Sequence, residues 1–386
     1  MKKGWKIKTL NNFLDVQNGY AFASSKFSGS NGMPLIRIRD LKNSINTKVN
    51  FTGEYSEQFV VQKGDFLIGM DGEFRCYEWV GRDALLNQRV CRLQNFKDNL
   101  FAKFLFYGIN KYLKEIEDVT TFTTVKHISS QKIKNIEFPI PPLIEQKQIV
   151  AKLDKAFAAI DTAKLNVEKN LENAKELFQS KLTEIFSQED EGWVEKTFEE
   201  LSSRIGDGLH GTPKYDEYGK YYFINGNNLN DGLIEIKENT KRVNKEEFEK
   251  YKKELTGNTV LISINGTLGK VAFYNNEPVI LGKSACYINF NDEVDKHYIK
   301  YLVKSPLFFK NMANLSTGAT IKNFSLKSMR NYTLTLPPLK QQQQIVEVID
   351  GIQRQTLSLE SKYQQELNSL EELKKSILEK AFAGEL

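Results

Sequence analysis

The chain has 386 residues, 40% of them hydrophobic and 27% charged, and its formal net charge is +5. This length suggests two or three domains, and no apolar run approaches the roughly 20 residues that span a bilayer. The opening MKKGWKIKTL is basic but lacks the apolar segment of a signal peptide. Cys76, Cys91 and Cys286 do not form a disulfide framework, so we expect a protein of the reducing cytoplasm.

The sequence contains an internal repeat. FPIPPLIEQKQIV at 138–150 is matched by TLPPLKQQQQIV at 335–346, at an offset of 196 (337 − 141). Upstream, VKHISSQKIKN (125–135) matches IKNFSLKSMRN (321–331), GDFLIGMDG (64–72) matches GNTVLISING (257–266), and PLIRIRDL (34–41) matches YFINGNNL (222–229). A period of roughly 190 residues indicates duplicated domains, because solenoid repeats are far shorter.

Each copy begins with short segments that alternate apolar and polar residues between glycines. PLIRIRDL and QRVCRLQ in the first copy, and TVLISING and ACYINF in the second, are typical of strands. Helical patterns, LFAKFLFYGINKYL and HYIKYLVKSPLFFKNM, follow later in each copy. We therefore predict an α+β protein with two tandem mixed domains, residues 1–142 and 191–338, each large enough for its own core.

A long helix is predicted after each domain, at 143–190 and 339–386, because a proline pair ends the preceding structure. Apolar residues then recur at spacings of three and four, which is the heptad seam of a coiled coil. The predicted seam comprises Val150, Leu153, Phe157, Ile160, Lys164, Val167, Leu171, Ala174, Phe178, Lys181 and Ile185, and then Ile345, Ile349, Ile352, Leu359, Tyr363, Leu370, Leu373 and Ile377. A pseudo-two-fold internal repeat would pair the helices antiparallel, with the domains at opposite ends.

The sequence offers little for catalysis. The two proline pairs lack the flanking Asn or Asp and the aromatic residue of the motif that amino-methyltransferases use, and NGTLGK (265–270) lacks the glycine spacing of a phosphate loop. His127, His210 and His297 have no cysteine at metal-ligand spacing. We therefore expect no active site, no metal and no cofactor on this chain.

Positive charge collects in the two predicted domains, whereas both predicted helices carry net negative charge. Basic regions often neutralise nucleic-acid phosphates, although a modest basic excess is also common on solvated surfaces.

Polar and basic side chains in glycine-rich loops and at strand ends are the candidate DNA contacts, because such groups bind phosphates and base edges. In the first copy they are Tyr20, Ser24, Ser25, Lys26, Arg37, Arg39, Asp71, Arg75, Gln88, Arg89 and Lys126. In the second they are His210, Thr212, Lys214, Tyr215, Asn225, Asn227, Asn265, Thr267, Lys270, Lys283, Ser284 and Lys322. The same residues could equally form turns and solvated surface.

The two copies differ at aligned polar positions. Arg37 and Arg39 align with Asn225 and Asn227. Arginine suits the acceptors of guanine, and asparagine suits adenine. Two related domains that read different short sequences would differ in this way, and drift after duplication would also vary the surfaces.

The duplicated order of these motifs resembles the specificity (S) subunit of type I restriction–modification systems. The resemblance lies in PIPPLIEQKQIVAKLD, LPPLKQQQQIVEVID, GDFLIGMDG, VLISINGTLGK and the terminal ILEKAFAGEL, and it covers essentially the whole chain. One departure is Glu145, which is replaced by Gln341 in the second copy.

The resemblance implies two target recognition domains that each read half of a split, asymmetric site in double-stranded DNA. It implies that the helices set the distance between the domains and dock two methyltransferase (modification) subunits, which restriction and translocase subunits can join. S-adenosylmethionine, ATP and Mg²⁺ would then belong to those partners, and the partners would carry out adenine methylation and cleavage.

Two other classes of protein are alternatives. A coiled-coil adaptor whose mixed domains bind proteins would show no salt-dependent affinity for DNA. A self-contained methyltransferase would bind S-adenosylmethionine as an isolated chain.

Overall fold

The computed structural model describes residues 4–43, 45–120, 126–315 and 323–386. The chain divides into two compact units: unit 1 comprises Met1–Asn166 with Glu366–Leu386, and unit 2 comprises Val167–Gln365. Within the described ranges, no helix is long and apolar enough to cross a membrane.

Unit 1 contains a mixed domain built on two main sheets. Its elements are β1 (Lys6–Thr9), β2 (Asp15–Asn18), β3 (Phe27–Ser28), β4 (Met33–Ile36), β5 (Asn50–Phe51), β6 (Val60–Val61), β7 (Phe66–Gly69), β8 (Cys76–Glu78), β9 (Ala84–Leu86), β10 (Val90–Gln94), α1 (Ala102–Val119), α2 (Ser130–Lys134), β11 (Glu137–Ile140) and then α3 (Leu143–Phe186), which belongs to this unit as far as Asn166. One sheet has the order β2-β10-β7-β8, and the other has the order β3-β5-β4-β9-β6 with β4 and β9 parallel. Strands β1 and β11 form a separate antiparallel pair.

Unit 2 repeats this plan. Its elements are β12 (Val194–Thr197), β13 (Ser202–Asp207), β14 (Tyr221–Ile224), β15 (Leu229–Asn230), β16 (Leu233–Ile234), β17 (Arg242–Val243), α4 (Lys245–Tyr251), β18 (Thr259–Ser263), β19 (Val271–Phe273), β20 (Val279–Leu281), β21 (Ala285–Phe290), α5 (Lys296–Lys304), α6 (Pro306–Asn314), α7 (Leu326–Arg330), β22 (Thr333–Leu336) and then α8 (Leu339–Ala383), which belongs to this unit as far as Gln365. Sheet β13-β21-β18-β19 matches β2-β10-β7-β8, and the parallel pair β14–β20 matches β4–β9. The predicted mixed α+β class and the internal repeat are confirmed.

The core of each unit runs from its four-stranded sheet onto the long helices. In unit 1, α1 buries Phe104, Leu105 and Ile109 against the sheet, and the same cluster continues through Leu153 and Phe157 of α3. In unit 2, the corresponding cluster includes Ile299, Phe308 and Tyr332 and reaches Ile345 and Val346 of α8. Each domain and the beginning of the helix that follows it therefore share one hydrophobic core.

The long helices pack antiparallel within each unit. In unit 1, Lys164 Nζ lies 2.7 Å from Glu371 Oε1 and Lys374 Nζ lies 3.0 Å from Asp161 Oδ1, so residue numbers rise on α3 as they fall on α8. In unit 2, Leu182 near the end of α3 packs with Ile349 near the beginning of α8. The antiparallel pairing that the sequence predicts is confirmed within each unit.

The predicted seam is correct for most of α3 but wrong at two positions of α8. Leu359 and Leu373 are 40% and 47% exposed. Lys374 lies on the paired face instead, with its ammonium 5.0 Å from the ring centre of Phe157 as well as beside Asp161. The packed face of α8 thus includes a lysine stem, which can cover apolar surface while its charge reaches a carboxylate.

Two helical glycines give opposite predictions for the same substitution. Gly351 in α8 has open space where a Cβ would lie, so Gly351→Ala should raise the free energy of unfolding by about 0.5–1 kcal/mol through helix propensity. At Gly108 in α1 a Cβ would lie 2.3 Å from Phe382 and 2.7 Å from Phe138, so Gly108→Ala should lower it by about 1–3 kcal/mol. Urea unfolding of both variants checks the pair, and equal effects would contradict this packing.

Candidate nucleic-acid interface

Several strands of unit 1 end at a common set of loops, which we call loop edge 1: residues 19–20, 70–72, 87–89 and 126–128. Tyr20 forms a bridge with Asn87, and the Met70 amide donates to the Arg89 carbonyl at 3.0 Å. The Ile128 amide in turn donates to the Met70 carbonyl at 2.9 Å. Backbone hydrogen bonds therefore bring together segments that are far apart in the sequence.

The exposed side chains of loop edge 1 form a charged group around Asp71. Its carboxylate lies 2.6 Å from His127 Nδ1 and 3.4 Å from Arg89 Nε. Tyr20 is 52% exposed, and its ring packs on Phe22 and Phe59. Because the carboxylate orients the guanidinium and the imidazole, hydrogen-bonding groups and an aromatic face are presented at one place.

Unit 2 has the same backbone arrangement at loop edge 2, residues 208–210, 264–266, 282–284 and 323–324. The Ile264 amide donates to the Ser284 carbonyl at 3.0 Å, and the Phe324 amide donates to the Ile264 carbonyl at 2.9 Å. The Leu209 carbonyl accepts from the Lys283 amide at 3.0 Å, as the Tyr20 carbonyl accepts from Gln88. The two edges are therefore equivalent position by position.

Side chains at the equivalent positions differ in chemistry. The equivalent pairs, first copy then second, are Tyr20 and Leu209, Asp71 and Asn265, Gln88 and Lys283, Arg89 and Ser284, and His127 and Asn323. Asn265 and Asn323 form the same isolated bridge as Asp71 and His127. Loop edge 1 thus carries Asp71, Arg89 and His127 where loop edge 2 carries Asn265, Ser284 and Asn323, whereas the charged Lys283 of loop edge 2 takes the place of Gln88.

Arg37 and Asn225 also occupy equivalent places, at the N-caps of short 3₁₀ helices that follow β4 and β14. The Arg37 amide donates to Asp40 Oδ2 at 3.0 Å, and Arg37 Nε lies 3.6 Å from that carboxylate. Asn225 Oδ1 accepts from the Ser284 hydroxyl at 3.0 Å, which connects it to loop edge 2. Arg39 and Asn227, by contrast, are exposed.

Other first-copy candidates lie around this edge with their own contacts. Ser24, Ser25 and Lys26 form an exposed 3₁₀ turn before β3. Arg75 Nη1 is 3.6 Å from Glu73. Lys126 Nζ donates to the Glu117 carbonyl at 2.7 Å.

The remaining second-copy candidates lie in two loops. His210 Nε2 is 2.7 Å from Asp207, and Thr212 is exposed in the same loop. Lys214 donates its amide to Glu247, while Lys241 Nζ lies 5.7 Å from the ring centre of Tyr215. Thr267 and Lys270 lie in the β18–β19 turn. Lys322 lies outside the described residues.

The DNA contacts predicted from the sequence do not include His127 and Asn323. Isolated β-bridges to Asp71 and Asn265 place these two residues at loop edges 1 and 2. Both residues lie in the aligned segments VKHISSQKIKN and IKNFSLKSMRN. A position that varies inside otherwise matching segments was the signal that could have identified them.

Among the described residues, neither a metal-binding cluster nor an exposed cysteine accompanies the hydrogen-bonding side chains. No group of three or more His, Cys, Asp or Glu side chains in those ranges is arranged to hold a metal ion. All three cysteines are free and buried. Burial raises the pKa of the Cys91 thiol to about 12, which disfavours a reactive thiolate there.

The mixed domain is duplicated, and its two copies share one loop framework but differ in their exposed polar side chains. A protein that recognises a two-part target has this architecture. Residues 2–173 and 190–369 match the family model described as type I restriction modification DNA specificity domain. The chain therefore belongs to this family.

Curated relatives agree along nearly the full length. The chain is 28% identical to the type I restriction enzyme EcoBI specificity subunit of Escherichia coli, covering 99% of this chain and 86% of that one. It is 23% identical to the MjaVIII specificity subunit of Methanocaldococcus jannaschii, covering 99% and 93%.

Solved structures show the same fold. A chain from a study of complex assembly and conformational transition of the type I R-M system superposes with a TM-score of 0.71 at 19% identity, covering 100% of this chain and 99% of that one. The HsdS subunit from Thermoanaerobacter tengcongensis gives a TM-score of 0.60 at 18% identity, covering 100% and 98%.

Proposed function

We propose that this chain is the non-catalytic subunit that reads a bipartite, asymmetric DNA site for a type I restriction–modification complex. The observation that carries the proposal is the pair of loop edges, which share a backbone framework and present different polar side chains. Direct readout of two different base sequences requires different hydrogen-bonding side chains in the two domains. The names of the relatives, which are specificity subunits, support it.

Within this proposal, residues 1–142 and 191–338 are the two recognition domains, and residues 143–190 and 339–386 are the helical segments that set their spacing. Two methyltransferase subunits and the restriction subunits are the proposed protein partners. S-adenosylmethionine, ATP and Mg²⁺ are assigned to those partners. The free cysteines fit assembly in a reducing cytoplasm.

Binding to DNA should weaken steeply with salt. If the basic groups around the two loop edges neutralise about six phosphates, the slope of log K against log salt is about −5. Fluorescence anisotropy of the assembled complex on duplex DNA, from 50 to 200 mM salt, measures this slope. A slope near zero would support the adaptor alternative, in which the mixed domains bind proteins.

A further inference from the structure

Each long helix begins with a buried glutamine that hydrogen-bonds to the domain before it. In unit 1 this residue is Gln146, which is fully buried. Its side-chain amide donates to the carbonyls of Pro141 at 2.8 Å and Asn99 at 3.0 Å. Its Oε1 accepts from the Phe101 amide at 2.7 Å. One side chain thus joins the end of the last strand, the loop before α1 and the N-cap of α1.

Unit 2 repeats these three hydrogen bonds. Gln342 is fully buried and donates to the carbonyls of Pro337 and Glu293, both at 2.8 Å. Its Oε1 accepts from the amide of Asp295, the N-cap of α5, at 2.8 Å. The network is therefore the same in both copies.

A second connection lies eight residues further along each helix. The Tyr107 hydroxyl donates to Asp154, which also contacts Lys103 Nζ at 2.9 Å. In unit 2 the Tyr301 hydroxyl contacts Asp350 in the same way. Eight residues correspond to about 12 Å along a helix. Two connections separated by that distance restrict the tilt of a helix against its own domain as well as its position.

The chemistry at the first connection requires an amide. A glutamine supplies the two donors and the acceptor that the surrounding backbone groups need. A glutamate of the same shape would place a carboxylate against the two carbonyl oxygens at Pro141 and Asn99 and leave both without a donor. Buried polar groups without partners are costly, so the neighbouring segments would shift.

We propose that Gln146 and Gln342 are positioning residues that hold each recognition domain at a fixed angle to its long helix and thereby make the complex selective for spacer length. This inference rests on the proposed function, because spacer length has meaning only for a protein that reads two half-sites. The residues act on the placement of the readers and touch no DNA.

The test uses the full chain assembled with its methyltransferase subunits. Methylation rates are measured on duplexes that carry both half-sites with the preferred spacer, or with one base pair added or removed. In Gln146→Glu and Gln342→Glu, the ratio of the rate at the preferred spacer to the rates at the altered spacers should fall roughly tenfold. Base preference within each half-site should stay unchanged.

Matched controls carry the same change at exposed glutamines of the same helices. Gln148→Glu and Gln344→Glu should keep the spacer ratio of the unmodified protein, because both side chains are exposed. An equal loss of rate at all three spacers in the variants at the buried glutamines would overturn the inference and leave them a purely structural role.

Should the variants at the buried glutamines fail to assemble, Tyr107→Phe and Tyr301→Phe replace them, since each removes one hydroxyl and keeps the ring. The same fall in spacer ratio supports the inference, and an unchanged ratio overturns it. A complex of unmodified protein that methylates without sequence preference would refute the proposed function itself, which is a different result.

Discussion

Deleting one heptad from each long helix is expected to shorten the unread spacer of the DNA site by up to about three base pairs. Seven residues shorten a helix by about 10.5 Å, and successive phosphates on one DNA strand are about 3.4 Å apart along the axis. Seven residues also make nearly two full turns, so the seam on each helix keeps its direction. Removing 166–172 and 363–369 leaves both loop edges unchanged.

The matched control removes three residues from each helix. Three residues are less than one turn, so the apolar face rotates away from its partner and assembly should weaken. Mapping methylated adenines gives the spacer of the heptad variant. A spacer equal to that of the unmodified protein would contradict the proposed role of the helices.

Replacing Arg39 and Arg89 by alanine is expected to relax base preference at one half-site only. Both side chains are exposed, and Arg89 Nε is held 3.4 Å from Asp71. An arginine that reads a base is worth about 1–3 kcal/mol of discrimination, so the preference at its position should fall about 5- to 150-fold. Competition binding with each half-site randomised in turn measures the change.

Arg82→Ala is the control for this pair, because Arg82 is exposed in the same unit and is absent from loop edge 1. It should leave base preference at both half-sites unchanged. Loss of preference at both half-sites in the Arg39 and Arg89 variant, or at neither, would contradict two independent readers.

Sequence periodicity predicted the long helices well because their contacts repeat locally. Val150, Leu153, Phe157 and Ile160 are buried as their spacing indicates. Periodicity failed at Leu373, because an apolar pattern favours a leucine over the lysine that follows it. The structure places Lys374 there, where an aliphatic stem packs and the ammonium reaches Asp161 across the helix pair. A contact between residues that are 213 positions apart in the sequence leaves no periodic pattern of apolar residues.

The two loop edges were predictable only in outline. Aligning the copies identified Arg37 with Asn225 as equivalent, and the cap positions agree. The placement of His127 beside Asp71 required the fold, because it depends on a bridge between segments 56 residues apart. Individual DNA contacts stay predictions.

The duplicated PPL and glutamine motif has a clear structural meaning. In each copy the prolines end the last strand, and the buried glutamine joins the first turn of the helix to the domain. Gln341 accepts from Trp193 Nε1 at 2.7 Å, whereas the first copy has Glu145 at that position. The two copies therefore share the glutamine that joins the helix to its domain, and they differ at the residue before that glutamine.

The most direct test of the central claim is to co-express the chain with its methyltransferase subunits and sequence the methylated adenines. If the chain reads two half-sites at a fixed separation, the methylated positions should define one asymmetric site with two unlike half-sites and a spacer of fixed length. A single uninterrupted site, two identical half-sites, or half-sites at variable separation would contradict it.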